Sequence, residues 1–186
     1  NNLTVADGRF GAGQTAGAGI GINSGAPDPT VVNFTANNLV FRNNQGGGAE
    51  AAGAAISCSR SGTVAVNNST FTANLGSTIN LGGGNGSCSA TINGSSFYRN
   101  SGDGVISCCG NNTTVTISVN NSAFYNNGDD LSGSTIDLSS GGGIAITNTT
   151  IANNRSNRAA LWLRNFSTSN NSLTNVTLAG NSTPHA

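Results

Sequence analysis

The chain has 186 residues, of which 8% are charged, with seven Arg, no Lys, no Met and a formal net charge of zero. That length sets a single domain, 1–186, as the prior. The missing basic stripe argues against a nucleic-acid partner, and no apolar run approaches the roughly 18 residues that cross a bilayer. The lack of an initiator Met and of a signal peptide reads as a processed or excised chain.

Gly, Asn, Ser, Thr and Ala dominate, but Val, Ile and Thr recur among them at regular positions, unlike disordered segments poor in β-branched residues. In chain order, an apolar anchor followed by Asn or Gly three residues on appears at Phe10, Phe41, Phe71, Phe97, Phe124, Ile151 and Leu178, spaced by 31, 30, 26, 27, 27 and 27 residues. The residues three after are Gly13, Asn44, Asn74, Asn100, Asn127, Asn154 and Asn181. Three before stand Asp7, Asn38, Asn68, Gly94, Asn121, Asn148 and Asn175. A fixed period of this size signals a repeat architecture.

Each unit opens with an alternating apolar pair, seven and five residues before the anchor, such as Val64/Val66, Ile117/Val119 and Ile144/Ile146. Alternation of this kind predicts a strand with one buried face. The anchor begins a second short strand. After a Gly-rich connection comes a third alternating pair, as in Ile56/Cys58, Ile79/Leu81, Ile106/Cys108 and Ile136/Leu138. Three short strands in about 27 residues fit one coil of a parallel β-helix, each strand pairing with its equivalent in the next coil. The fold class is therefore all-β: a right-handed β-solenoid of about seven coils, the hand following from the usual crossover rule. With coils about 4.8 Å apart, the rod is on the order of 30 Å long. The Phe column stacks inside it. The Asn column sits at a turn, where Asn tolerates left-handed backbone, and its amides bond above and below. The motif is architecture, with no catalytic role assigned.

The quartets "FRNN", "FTAN", "FYRN" and "FYNN", with "GGGAEAAGAAI" and "GGGIAI", resemble the Phe-x-x-Asn and Gly-Gly-Ala-Ile repeats of polymorphic outer-membrane proteins, the autotransported adhesins with right-handed β-helical passengers. The resemblance covers nearly the whole chain. It implies a surface-exposed, extracellular, non-catalytic role, adhesive or structural, with surface glycans or host and matrix molecules as partners.

Candidate chemistry is sparse. Asp103 and Asp130 share a repeat position one coil apart, with Asp129 beside the second. Three loop carboxylates supply part of the oxygen set of a Ca²⁺ site, and with Arg99 nearby they are also the candidate centre for a polysaccharide lyase or hydrolase. A solvated acidic turn is the plainer reading, and Asp137 is expected to face outward on the next strand. His185, the only histidine, stands one residue from the C-terminus and leaves no base for a triad. Cys58 and Cys108 fall two coils apart, too far for a bridge. Cys88 lies between them and can pair with Cys58, Cys108 or Cys109, as a secreted chain permits. Sequons occur at Asn33, Asn67, Asn68, Asn112, Asn148 and Asn165. Asn68 and Asn148 are expected to be poor glycan acceptors if buried. Thr35, Ala65, Thr91, Ser118, Ala145 and Ser172 form an outward column, which an ice binder would use. Tyr98 and Tyr125 form an outward aromatic pair, a platform for a glycan.

No amphipathic helix is available as a lid for either end of the stack. Open coils expose strand edges, so the sequence predicts either a piece of a longer solenoid or end-to-end stacking with copies of itself, a non-closing contact that gives filaments.

Overall fold

The computed structural model describes residues 2–9, 18–22, 31–46, 53–58, 62–82, 88–102, 104–108, 115–129, 133–138, 143–163 and 171–183. No helix occurs among them. The strands are β1 (Thr4–Ala6), β2 (Ile20–Ile22), β3 (Val32–Asn37), β4 (Val40–Arg42), β5 (Gly53–Cys58), β6 (Gly62–Asn67), β7 (Thr70–Thr72), β8 (Ser77–Asn80) and β9 (Cys88–Asn93). They continue with β10 (Ser96–Tyr98), β11 (Gly104–Cys108), β12 (Ile117–Asn120), β13 (Ala123–Tyr125), β14 (Ser134–Leu138), β15 (Ile144–Ala152), β16 (Leu161–Leu163) and β17 (Ser172–Ala179).

Every pairing between these strands is parallel, and each joins a strand to its equivalent one repeat away. The chain is thus a parallel β-solenoid. One sheet runs β1-β4-β7-β10-β13-β15 and back along β15-β12-β9-β6-β3, with β17 on β15; the other runs β16-β14-β11-β8-β5-β2. The two halves of the larger sheet meet in β15, where two short strands fuse into one of nine residues through Asn148.

Register follows the sequence period. Phe41, Phe71, Phe97, Phe124, Ile151 and Leu178 stand opposite one another in successive strands. The four Phe rings are fully buried and stack at 4.6, 4.5 and 4.5 Å between centroids, with interplanar angles of 4°, 6° and 3°. Ile56, Ile79, Ile106 and Ile136 form a second buried column, and Val64, Ala90, Ile117 and Ile144 a third. Each fully buried Phe or Ile removes enough apolar surface from water to contribute about 1.5–3 kcal/mol.

The first repeat departs from the expected alignment. Val5, not Phe10, pairs with Phe41, so the step there is 36 residues rather than 31. Asp7 then takes the left-handed turn (φ 60°) two residues after the anchor. Gly8 fills the next position, donating its N–H to Asn44 Oδ1 at 3.1 Å. A strand with an aliphatic anchor and a tight turn satisfies the register without an aromatic ring. Phe10 and Gly13 lie outside the described residues.

Candidate functional site

Side chains at recurring positions of successive coils build three ladders among the described residues. In the first, Asn74, Asn100, Asn127 and Asn154 are each about 1% exposed. Each Oδ1 accepts from the backbone N–H and the Nδ2 of the preceding rung, at 2.9–3.1 Å. The remaining Nδ2 hydrogen goes to the carbonyl of an anchor one coil back: Phe41 for Asn74, Phe71 for Asn100, Phe97 for Asn127 and Phe124 for Asn154. Both ends of every amide are satisfied in a dry interior, as burial of a polar group requires. Asn44 starts the ladder, with Nδ2 bonds to Val5 O and Asn74 Oδ1, and Asn181 ends it.

These Asn do not themselves occupy the left-handed region. The residue before each one does: Asn43, Ala73, Arg99, Asn126 and Asn153, with φ between 53° and 56°. The expected link between Asn and left-handed tolerance is therefore displaced by one position. The turn is made at the preceding residue, and Asn follows it because its amide points inward. A second left-handed column lies at Asn38, Asn68, Asn121, Asn148 and Asn175, with φ of 48–56°, joined by Gly94 at 59°. Asn68 and Asn148 are exposed rather than buried. Part of this column forms a surface amide chain, Asn175 donating to Asn148, Asn148 to Asn121 and Asn121 to Asn93, at 3.1–3.3 Å.

Sequence reading missed the third ladder. Two residues before each anchor, Ser69, Ser95, Ser122 and Thr149 are buried. Each hydroxyl accepts from the backbone N–H of its counterpart one coil earlier (Leu39, Ser69, Ser95 and Ser122) and donates to the carbonyl two residues before itself. Its signal is the shared offset, hidden in a chain rich in Ser and Thr.

Tyr98 and Tyr125 stand in register and stack at 5.3 Å with an interplanar angle of 10°. Both residues are partly exposed, and Tyr125 stands opposite Ala152 in the next strand. Thr35, Ala65, Thr91, Ser118, Ala145 and Ser172 do share a column. Asp129 is exposed, while Asp103, Asp130, Cys109, His185, Asn112 and Asn165 lie outside the described residues. Among the described residues no three His, Cys, Asp or Glu side chains gather around one point.

Asp137 does lie on the face opposite Ile136, but it is only 9% exposed. Its Oδ2 accepts from Arg158 at 3.4 Å, and the Arg158 guanidinium lies 5.9 Å from the centroid of the Trp162 ring. Cys88 is bonded to Cys58, with their Cα atoms 6.5 Å apart. Cys88 stands opposite Gly62, and a Cβ at Gly62 would come within 3.1 Å of the Cys58 sulfur. The missing side chain clears the path of the bridge.

The last strand has a different environment. Leu173 and Leu178 of β17 are 51% and 52% exposed, while their partners Ile146 and Ile151 are fully buried. The same inward slots that make the core elsewhere are open here.

No family model, curated protein or solved structure matches the chain. No described helix is long and apolar enough to cross a membrane.

Proposed function

We propose that the protein is a non-enzymatic structural or adhesive rod of the extracellular space or cell surface: a right-handed solenoid of about seven coils, built like the passengers of polymorphic outer-membrane proteins. The observation that carries this reading is the set of three in-register ladders. They commit recurring side chains of successive coils to holding the next one. Such a stack keeps its two ends a fixed distance apart and presents long side faces, as an adhesin stalk or filament segment requires. The Cys58–Cys88 bridge supports an oxidising compartment. A glycan-binding role on the side face is the second reading, favoured by the partly exposed, in-register stack of Tyr98 and Tyr125.

The test is to incubate the purified protein with neutral and acidic polysaccharides, with and without Ca²⁺, and follow both product release and retention of the protein on the polymer. A structural rod releases nothing. Turnover in proportion to protein concentration would overturn the proposal in favour of a lyase or hydrolase, and retention abolished by Tyr125→Ala would favour the second reading.

A further inference from the structure

Charge is sparse on the outer side of the strands that carry the Phe column. The outward positions just before the anchors, from Val40 to Thr150, hold none. Those just after them run Arg42, Thr72, Tyr98, Tyr125 and Ala152 in one register. Arg99 follows Tyr98 at the turn, with φ 56°, where Asn stands in three of the other four coils, at Asn43, Asn126 and Asn153. A long cation in left-handed backbone is uncommon, and such positions cluster at ligand sites. Arg42 and Arg99 are exposed, and Tyr98 and Tyr125 partly so. Among the described residues neither guanidinium meets a carboxylate. Asp137, on the other sheet, is paired with Arg158, and Asp7, in the coil before Arg42, accepts from Asn43 Nδ2 at 3.3 Å. No hydrogen bond among the described residues engages the hydroxyl of Tyr98 or Tyr125.

We propose that this strip binds an acidic polysaccharide laid along the rod axis, with carboxylates on alternate sugars meeting Arg42 and Arg99 and with Tyr98 and Tyr125 hydrogen-bonding the rings alongside. The inference rests on the glycan reading above and names the class of glycan. Coils follow one another at about 4.8 Å, close to the advance of one sugar ring in an extended chain. Arg42 and Arg99 are two coils apart, so they match the charges of a polymer that is acidic at every second ring. The coil between them offers Thr72 and Ala73 and no cation. The guanidinium fork holds a carboxylate through two parallel bonds, which fixes the place of each acidic ring. The phenols supply donors and acceptors for sugar hydroxyls on a rigid, stacked support.

A fluorescently labelled oligosaccharide of alternating glucuronic acid and N-acetylglucosamine is titrated with the full chain at low salt and followed by anisotropy. Saturable binding is expected, weakened about tenfold by Arg42→Gln and by Arg99→Gln, the worth of one charged bonding group. Circular dichroism checks that each variant keeps its fold. The carboxyl-reduced oligosaccharide is expected to bind the parent as weakly as the acidic one binds the double variant. Arg9→Gln, which alters an exposed cation beyond the turn, should leave binding unchanged. Equal loss in Arg9→Gln would refute the site, and tighter binding of oligogalacturonate, charged on every ring, would refute the alternate spacing. Equal binding of the carboxyl-reduced chain would refute the acid selection; if Tyr125→Ala then abolishes it, the glycan reading stands. Binding of neither chain would remove the inference and the glycan reading together.

Discussion

Replacing Asn100 with Ala removes one rung from the middle of the ladder. Asn100 makes four side-chain hydrogen bonds, to Asn74 N at 3.1 Å, Asn74 Nδ2 at 2.9 Å, Phe71 O at 3.0 Å and Asn127 Oδ1 at 2.9 Å. Two of these partners keep another bond: Asn74 Nδ2 retains Phe41 O, and Asn127 Oδ1 retains the backbone N–H of residue 100. The Asn74 N–H loses its partner in the interior, while the Phe71 carbonyl loses one bond but keeps its place in the β7–β10 ladder. At about 1–3 kcal/mol for the stranded donor and about 1 kcal/mol for the lost bond, the loss comes to about 2–4 kcal/mol. That is a large share of the roughly 5–15 kcal/mol that holds a typical domain together. The assay is urea unfolding followed by circular dichroism, extrapolated to water. Asn67→Ala is the internal control: it deletes an exposed amide bond, from Asn67 Nδ2 to Asn37 Oδ1 at 2.9 Å, where solvent replaces it, and should cost about 1 kcal/mol or less. A loss below about 1 kcal/mol for Asn100→Ala, or an equal loss for Asn67→Ala, would refute the claim that burial makes the ladder matter.

Phe97→Ala opens a cavity between Phe71 and Phe124 and should lower stability by about 3–5 kcal/mol, while Phe97→Leu should cost clearly less, because Ile151 and Leu178 occupy the same slot; thermal melts of both decide. Cys58 and Cys88 are 30 residues apart, so opening their bridge by paired Ala substitution should cost about 3–4 kcal/mol in denaturant titrations, the loop-closure value for that length. Ala73 holds φ 53° without the local hydrogen bonding of Asn or the freedom of Gly. Ala73→Gly should therefore raise stability by about 0.5–1 kcal/mol, and a melting temperature that falls would contradict the left-handed assignment.

The sheet register was legible wherever a residue type and its offset coincided. Phe41, Phe71, Phe97 and Phe124, each three residues before an Asn, declare their own alignment, and period-two alternation places Val64 and Val66 in the core beside them. The first repeat escaped because Val5 does its anchoring with a side chain common throughout the chain, while Phe10 lay nearer the expected spacing. The hydroxyl ladder escaped for a related reason. Ser69 or Ser122 means nothing alone among so many serines, and only the backbone N–H one coil away gives it a role. The bridge was narrowed but not resolved, since the repeat sets Cys88 in the coil between Cys58 and Cys108. The structure pairs it with Cys58, and Gly62 directly opposite Cys88 leaves space beside the Cys58 sulfur. The left-handed turn was assigned one residue late, because the amide that draws attention to Asn74 belongs to the residue after the turn, and the turn itself falls on an unremarkable Ala73.

The uniform step between Phe97, Phe124 and Ile151 also makes the molecule's length a quantised variable. Removal of residues 98–124, one whole coil, would bring Phe97 to the anchor position directly before Ile151 and place Asn127 three residues after it. Removal of one residue more or fewer would turn the strands beyond the junction onto the wrong face, since side chains alternate along a strand. Genetic rearrangement can therefore lengthen or shorten such a rod only in whole turns, and variants of its gene should differ by multiples of the coil.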